Sequence, residues 1–329
     1  MTAKPHKPKG KEELMKSPTQ FKTTKVLRNI FLSLGAIFAL VTATHAQNLY
    51  VSAQVPPSHA ILEFTPDRTQ STYASGLLFP RGLAFDSIGN LFAAETLEPD
   101  NHDIGRALRF NLRNKVSTVG SVTNFFFEGL AVDIAGNAYV MASDDNSPTL
   151  AGTIFKFTPD GERIVFGSVP GITGDNEPQQ NWGLAFDSAG NLYAADGGAQ
   201  TIYKFAPNGA RTVFVGPSAF DPGVYPVGLA FDSTGNLFVS TNALSNFSGN
   251  DTILKFTPGG TKSIFATGLN FPRGLAFDSS SYLFVAEVKQ PELGQPGDIL
   301  KFPPGGGPPT VFASFSAGRP EFLTFGPSR

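Results

Sequence analysis

The run GLAFDSAGNLYAAD, Gly183 to Asp196, decides the fold, because the chain writes it five times. Variants begin at Gly82 (GLAFDSIGNLF), Gly129 (GLAVDIAGNAYV), Gly228 (GLAFDSTGNLFV) and Gly274 (GLAFDSSSYLFV), at spacings of 45 to 54 residues. GLAF and NLYAA are short, apolar and rich in strand formers, while the Asp and Gly between them supply a side-chain turn and a residue at ease with positive φ. The pair predicts a β-hairpin. A second phrase follows each copy, as ALRFNLRN, TIFKFTPDG, TIYKFAPNG, TILKFTPGG or DILKFPPGG, and leads into a run such as TVFV or SIFA. These predict a third strand, a tight turn and a fourth strand. Four antiparallel strands every ~45 residues, without helical periodicity, predict the blade of an all-β propeller.

One copy is split. QNLYVSA (Gln47 to Ala53) carries the second-strand phrase with no GLAF ahead of it, and AILEFTPDR (Ala60 to Arg68) follows it in the usual order. The missing strand is predicted at the other end of the chain, in EFLTFGPSR (Glu321 to Arg329), where Phe322 aligns with the repeat glycine. A blade shared between the two termini closes the ring and removes free sheet edges. Residues 47–329 then make six blades of about 47 residues each.

These residues resemble the NHL repeat: a glycine-led strand, an Asp-x-x-Gly-Asn turn, an Asp closing the second strand (Asp196) and a Lys-Phe ahead of the last turn glycine, all matched between Gly183 and Gly209. The resemblance covers nearly all of the chain after residue 47. It implies a six-bladed propeller related to the gluconolactonase-like (regucalcin-type) hydrolases, the paraoxonases and the streptogramin lyases. It does not specify an activity, because the motif encodes blade architecture. No Gly-His or Trp-Asp signature of a WD40 repeat occurs.

Ahead of the repeats stand basic residues (Lys22, Lys25, Arg28), an apolar run from Ile30 to Val41 and small residues at Thr44 and Ala46. This is the pattern of a secretory signal. Cleavage after Ala46 is expected, with 1–46 as signal peptide, a start at Met15 giving an n-region of ordinary length, and export to the periplasm or beyond. The apolar run is shorter than the ~20 residues that span a bilayer, so no stable membrane span is expected after cleavage. A formal net charge of −2 offers no field for nucleic acid, and the absence of cysteine removes disulfides, thiolate metal sites and thiol nucleophiles. A monomer is expected.

Propeller geometry puts the tight turns on one face and the long links on the other. The long segments are 95–106, 143–153, 170–182, 216–227, 241–252 and 287–298. Variable loops on a rigid scaffold are where binding concentrates, so a protein, peptide or glycan ligand is expected there. The residue before each repeat glycine should ring the mouth of the central channel: Glu321, Arg81, Glu128, Trp182, Val227 and Arg273. In the gluconolactonase-like enzymes, comparable places hold a divalent metal, which the resemblance would assign here to Glu128 and Glu321, with Ca2+ as a candidate. Each glutamate has an arginine as ring neighbour, however, and a ladder of opposite charges satisfies itself without a metal. No cofactor is expected on that reading.

A second ring, at the end of the second strands, includes Glu95, Asp196 and Glu287; a carboxylate there is suited to accepting backbone N–H groups from a loop. The Asp of each FDS phrase repeats too regularly to be a site. Of the histidines, His59 and His102 follow the signal, too few for the three-histidine zinc site of the amidating lyases. No catalytic residue is assigned, and a metal-dependent lactonase using Glu128 or Glu321 is the alternative to a binding module. Trp182, the single tryptophan, is either a packed plug of the channel or a platform for a ligand.

Overall fold

The computed structural model describes residues 46–55, 59–98, 103–144, 151–171, 183–243, 251–289 and 296–327. They form six four-stranded antiparallel sheets. Blade 1 contains β1 (Leu49–Gln54), β2 (His59–Phe64) and β3 (Gln70–Leu77). Blade 2 contains β4 (Leu83–Phe85), β5 (Leu91–Leu97), β6 (Ile104–Phe110) and β7 (Val116–Thr123). Blade 3 contains β8 (Phe126–Val132), β9 (Ala138–Ser143), β10 (Gly152–Phe157) and β11 (Arg163–Val169). Blade 4 contains β12 (Leu184–Phe186), β13 (Leu192–Asp196), β14 (Thr201–Phe205) and β15 (Arg211–Val215). Blade 5 contains β16 (Val224–Phe231), β17 (Leu237–Ala243), β18 (Asp251–Phe256) and β19 (Lys262–Leu269). Blade 6 contains β20 (Pro272–Phe277), β21 (Leu283–Glu287), β22 (Asp298–Phe302) and β23 (Thr310–Ser314). The last strand, β24 (Arg319–Phe325), returns to blade 1 and lies inside β1, so the order there is β24-β1-β2-β3.

The ring is therefore closed by the C-terminal strand. Its register against β1 pairs Leu49 with Phe325 and Gln54 with Arg319, so the strand starts ahead of Glu321, where the sequence placed it. The segment read as signal lies outside the described residues, apart from Ala46. Among the described residues no helix is long and apolar enough to cross a membrane.

The repeated phrases become repeated devices. In each first hairpin the aspartate caps its own turn: Asp187 Oδ1 accepts from the backbone N–H of Ala189 and Asn191 at 3.0 and 2.8 Å, and Oδ2 from the Asn191 amide at 2.8 Å. The side chain thus replaces sheet partners that a two-strand turn lacks. Burial grades outward. Second strands are enclosed throughout, whereas the fourth strands, at the outer edge, are largely exposed.

The core is six wedges between neighbouring blades, one at each joint. An aromatic residue on a second strand meets the edge of one ring from its own fourth strand and one from the next blade's first strand. Tyr193 does so with Phe214 and Phe231 at 5.1 and 4.9 Å, and Phe284 does so with Phe312 and Phe325 at 5.0 and 4.9 Å. Edge-on packing sets the positive rim of one ring against the negative face of another. Much of the chain's phenylalanine is placed by this rule, and Phe325 carries it across the closure.

Candidate functional site at the channel mouth

The repeat glycine exists because the inner strands crowd one another at the axis. A Cβ on Gly274 would lie 2.6 Å from Phe322 Cα and 2.9 Å from Glu321 O of the next blade, and one on Gly183 would lie 2.5 Å from Val227 O. No side chain fits there. In β8, β16, β20 and β24 the register slips across the two residues that contain this position, Glu128–Gly129, Val227–Gly228, Arg273–Gly274 and Glu321–Phe322. Such a bulge re-aims a side chain out of the sheet's alternation. Here it turns the ring residues toward the axis, where Phe322, in the sixth glycine's place, packs with Val227.

The four charged ring residues come together in two ion pairs. Arg81 Nη1 donates to Glu128 Oε2 at 2.5 Å, and Arg273 Nη1 donates to Glu321 Oε2 at 2.7 Å. All four are buried. The second oxygen of Glu321 accepts from Arg319 Nε at 2.8 Å. Burial pushes the Glu128 carboxyl up to about 7, against the pull of Arg81 and Arg273. Burial also lowers Arg273 to about 10. On Glu321 burial acts upward too, but Arg273, Arg319 and Arg81 together outweigh it and hold the carboxyl below its ordinary value. Trp182, the remaining ring residue, lies outside the described residues.

The second ring serves the backbone. Glu95 accepts from Leu78 N at 3.2 Å and from the Arg106 guanidinium, Asp196 from Ala199 N and Gly171 N at 2.9 and 3.2 Å, and Glu287 from Asn270 N at 2.8 Å. Each carboxylate pins the link entering its own blade. Blade 5 has Thr241 at this position, and Asp251 of its β18 accepts instead from Phe271 N at 2.9 Å, in the link entering blade 6 that Glu287 also holds. Glu95 and Arg106, read from sequence as the ends of a loop, are partners in the β5–β6 ladder. Among the described residues no group of three or more His, Asp or Glu side chains is placed to hold a metal. One oxygen of Glu128 and both oxygens of Glu321 already accept from guanidinium groups.

Sequence reasoning missed a third set. Two residues before the five described ring residues stand Phe79, Phe126, Tyr225, Phe271 and Arg319, all partly exposed at the long-link face. The signal was in the text, as FPRG at Phe79 and Phe271 and YPVG at Tyr225. Phe79 and Phe271 adopt φ of 42° and 50°. Left-handed backbone at a bulky residue stores strain, and strain of this kind gathers at functional sites. Phe79 packs against His59 at 5.1 Å and Phe126 at 6.4 Å, while the Arg81 guanidinium covers Phe126 at 4.7 Å. The mouth is thus an aromatic rim over a paired ionic floor. His102 lies outside the described residues.

No protein-family model and no curated protein matches the chain. The NHL resemblance accordingly rests on the repeat motif. Similar solved structures include a protein of unknown function from Bacteroides caccae (13% identity, 84% of this chain and 98% of that one, TM-score 0.57). A gluconolactonase from Xanthomonas campestris is 14% identical over 86% of this chain and 92% of its own, with a TM-score of 0.53. A catalytically inactive virginiamycin B lyase from Staphylococcus aureus with quinupristin is 13% identical over 87% and 94%, with a TM-score of 0.52. At such identities the likeness is one of fold.

Proposed function

We propose that the chain is an exported, NHL-type propeller that binds a peptide, protein or glycan at the aromatic-rimmed mouth on its long-link face, without chemistry of its own. The observation that carries this reading is the commitment of the ring: each of its four charges is held in a buried ion pair, while four of the five partly exposed side chains above them, Phe79, Phe126, Tyr225 and Phe271, are aromatic. Aromatic surfaces bind well at low entropic cost, because a large rigid area is offered with few rotors to freeze. The test is a peptide and glycan array probed with the purified protein, repeated with Phe126→Ala and Phe271→Ala. Loss of capture with unchanged melting supports the reading. An array that stays silent, or capture indifferent to both variants, overturns it.

One observation favours a hydrolase instead. The Glu128 carboxyl, raised to about 7, could hold and release a proton at neutral pH. Lactone turnover abolished by Glu128→Gln would establish that reading, and a panel of lactones left intact would dispose of it.

A further inference from the structure

We infer that blade 1 carries a carboxylate-binding site between Gln54, His59 and Arg319, flanked by Phe79, which takes ligands bearing an anionic carboxylate beside an apolar or aromatic group. The three residues stand at the C-terminal end of β1, the N-terminal end of β2 and the N-terminal end of β24, all on the long-link rim. Gln54 faces Arg319 across the β1–β24 ladder. This inference rests on the reading of the mouth as a binding site and names the chemistry it selects.

The donors decide the ligand. Gln54 is 7% exposed, and its Oε1 accepts from both Nε and Nη2 of Arg319, at 3.2 and 2.8 Å. Because a guanidinium only donates, the amide cannot be turned the other way round. Its Nε2 has no partner among the described residues. Burying an amide donor unpaired is costly, so a group that accepts from it gains accordingly. The His59 Nδ1 is likewise buried without a partner among the described residues. Burial first, and then Arg319, lower its pKa, so the ring is neutral at pH 7 and free to carry its proton on Nδ1. The Arg319 side chain is 30% exposed and is already bound through Nε and Nη2 alone.

The local charge points the same way. Arg81, Arg273 and Arg319 face Glu128 and Glu321, three cations to two anions. A carboxylate presents two oxygens and balances the excess, where a neutral carbonyl or hydroxyl would not. The His59 ring lies 5.1 Å from Phe79, which in turn meets Phe126, so an apolar flank on the ligand is received beside the donors.

The experiment compares N-acetylphenylalanine with N-acetylphenylalaninamide, equal in shape and different in charge, by calorimetric titration of the purified protein. The acid is expected to bind about tenfold or more tightly than the amide, as for loss of a hydrogen bond to a charged group. Gln54→Glu keeps the oxygen that Arg319 needs and replaces the Nε2 donor with an acceptor, so it should weaken the acid about tenfold and leave the amide unchanged. Should that variant fold poorly, His59→Phe removes a donor while keeping a ring against Phe79, and weaker binding of the acid is again expected. Equal binding of acid and amide, no binding of either at about 10 mM, or acid binding indifferent to a folded variant overturns the inference. An array ligand that binds at the mouth when neither probe does overturns it alone; silence of arrays and probes together removes the binding reading as well.

Discussion

Gly274 and Gly161 would both resist alanine, for unrelated reasons. At Gly274 the added Cβ meets the neighbouring blade's backbone at 2.6 Å, and neither strand can retreat without opening the ring. Gly274→Ala is expected to cost about 3 kcal/mol, as overpacking does in a rigid core. Gly161 has open space around it but a φ of 92°, so Gly161→Ala should cost only about 1 kcal/mol of backbone strain. Urea melts of the two variants separate the mechanisms; equal losses would contradict the crowding at the axis. Glu128 supplies a second test at this scale. Folded, its carboxyl holds a proton up to about pH 7, whereas an unfolded glutamate releases it near about 4.3. Between those values the folded state binds more protons, so this residue's contribution to stability falls as pH rises. Glu128→Gln has no such proton to lose. The variant should gain on the wild type by up to about 4 kcal/mol across that window. A drift in the opposite direction would mean that attraction to Arg81 outweighs burial.

At the scale of elements, the blade joints differ in one respect that can be measured. Phe238 meets Phe265 and Phe277 edge-on at 5.0 and 4.9 Å, while the cluster around its counterpart Phe92 supplies Val119 and Val132 in those places. Two edge-on pairs add about 1 to 3 kcal/mol beyond area, so Phe238→Leu should destabilise more than Phe92→Leu by that margin. Thermal melts of the two variants decide it. Strand β24 is the other test. Deleting Glu321–Arg329 removes the inner partner of β1, the ring contact of Phe325 with Phe284, and the carboxylate that pairs with buried Arg273. Although terminal segments are usually expendable, this one should lower the melting temperature by more than about 10 °C. Unchanged cooperative melting of the truncated protein would refute the closure as a source of stability.

For the whole molecule, stability should be indifferent to divalent cations. The described carboxylates of both rings accept from guanidinium or backbone N–H groups. EDTA followed by excess Ca2+ is expected to leave the melting temperature unmoved, and a rise with Ca2+ would return Glu128 or Glu321 to the list of ligands. Exported protein is expected to begin at Gln47, whose side-chain amide donates to Gly326 O at 2.8 Å and accepts from Ser279 N at 3.1 Å. That residue joins the first strand, the last strand and blade 6. N-terminal sequencing checks the boundary, and a start ahead of Ile30 would sink it.

Blade count, strand order within a blade, the capped turns and the shared closing blade were all legible in the repeats, because each depends on local spacing and turn chemistry that one copy after another restates. The six ring positions were legible as an alignment column. What that column does was settled by distances between blades: Arg81 finds Glu128 and Arg273 finds Glu321 across chain separations of 47 and 48 residues. The row of Phe79, Phe126, Tyr225 and Phe271 was written in the same column two places earlier, but its meeting with His59 depends on how blades 1, 2 and 3 converge. Arg319 comes from the opposite end of the chain to Gln54 and His59 and becomes their neighbour only through ring closure. Local pattern determines which strands form, since a turn and its strands are contiguous; which side chains meet at the axis is decided by the packing of one wedge against the next.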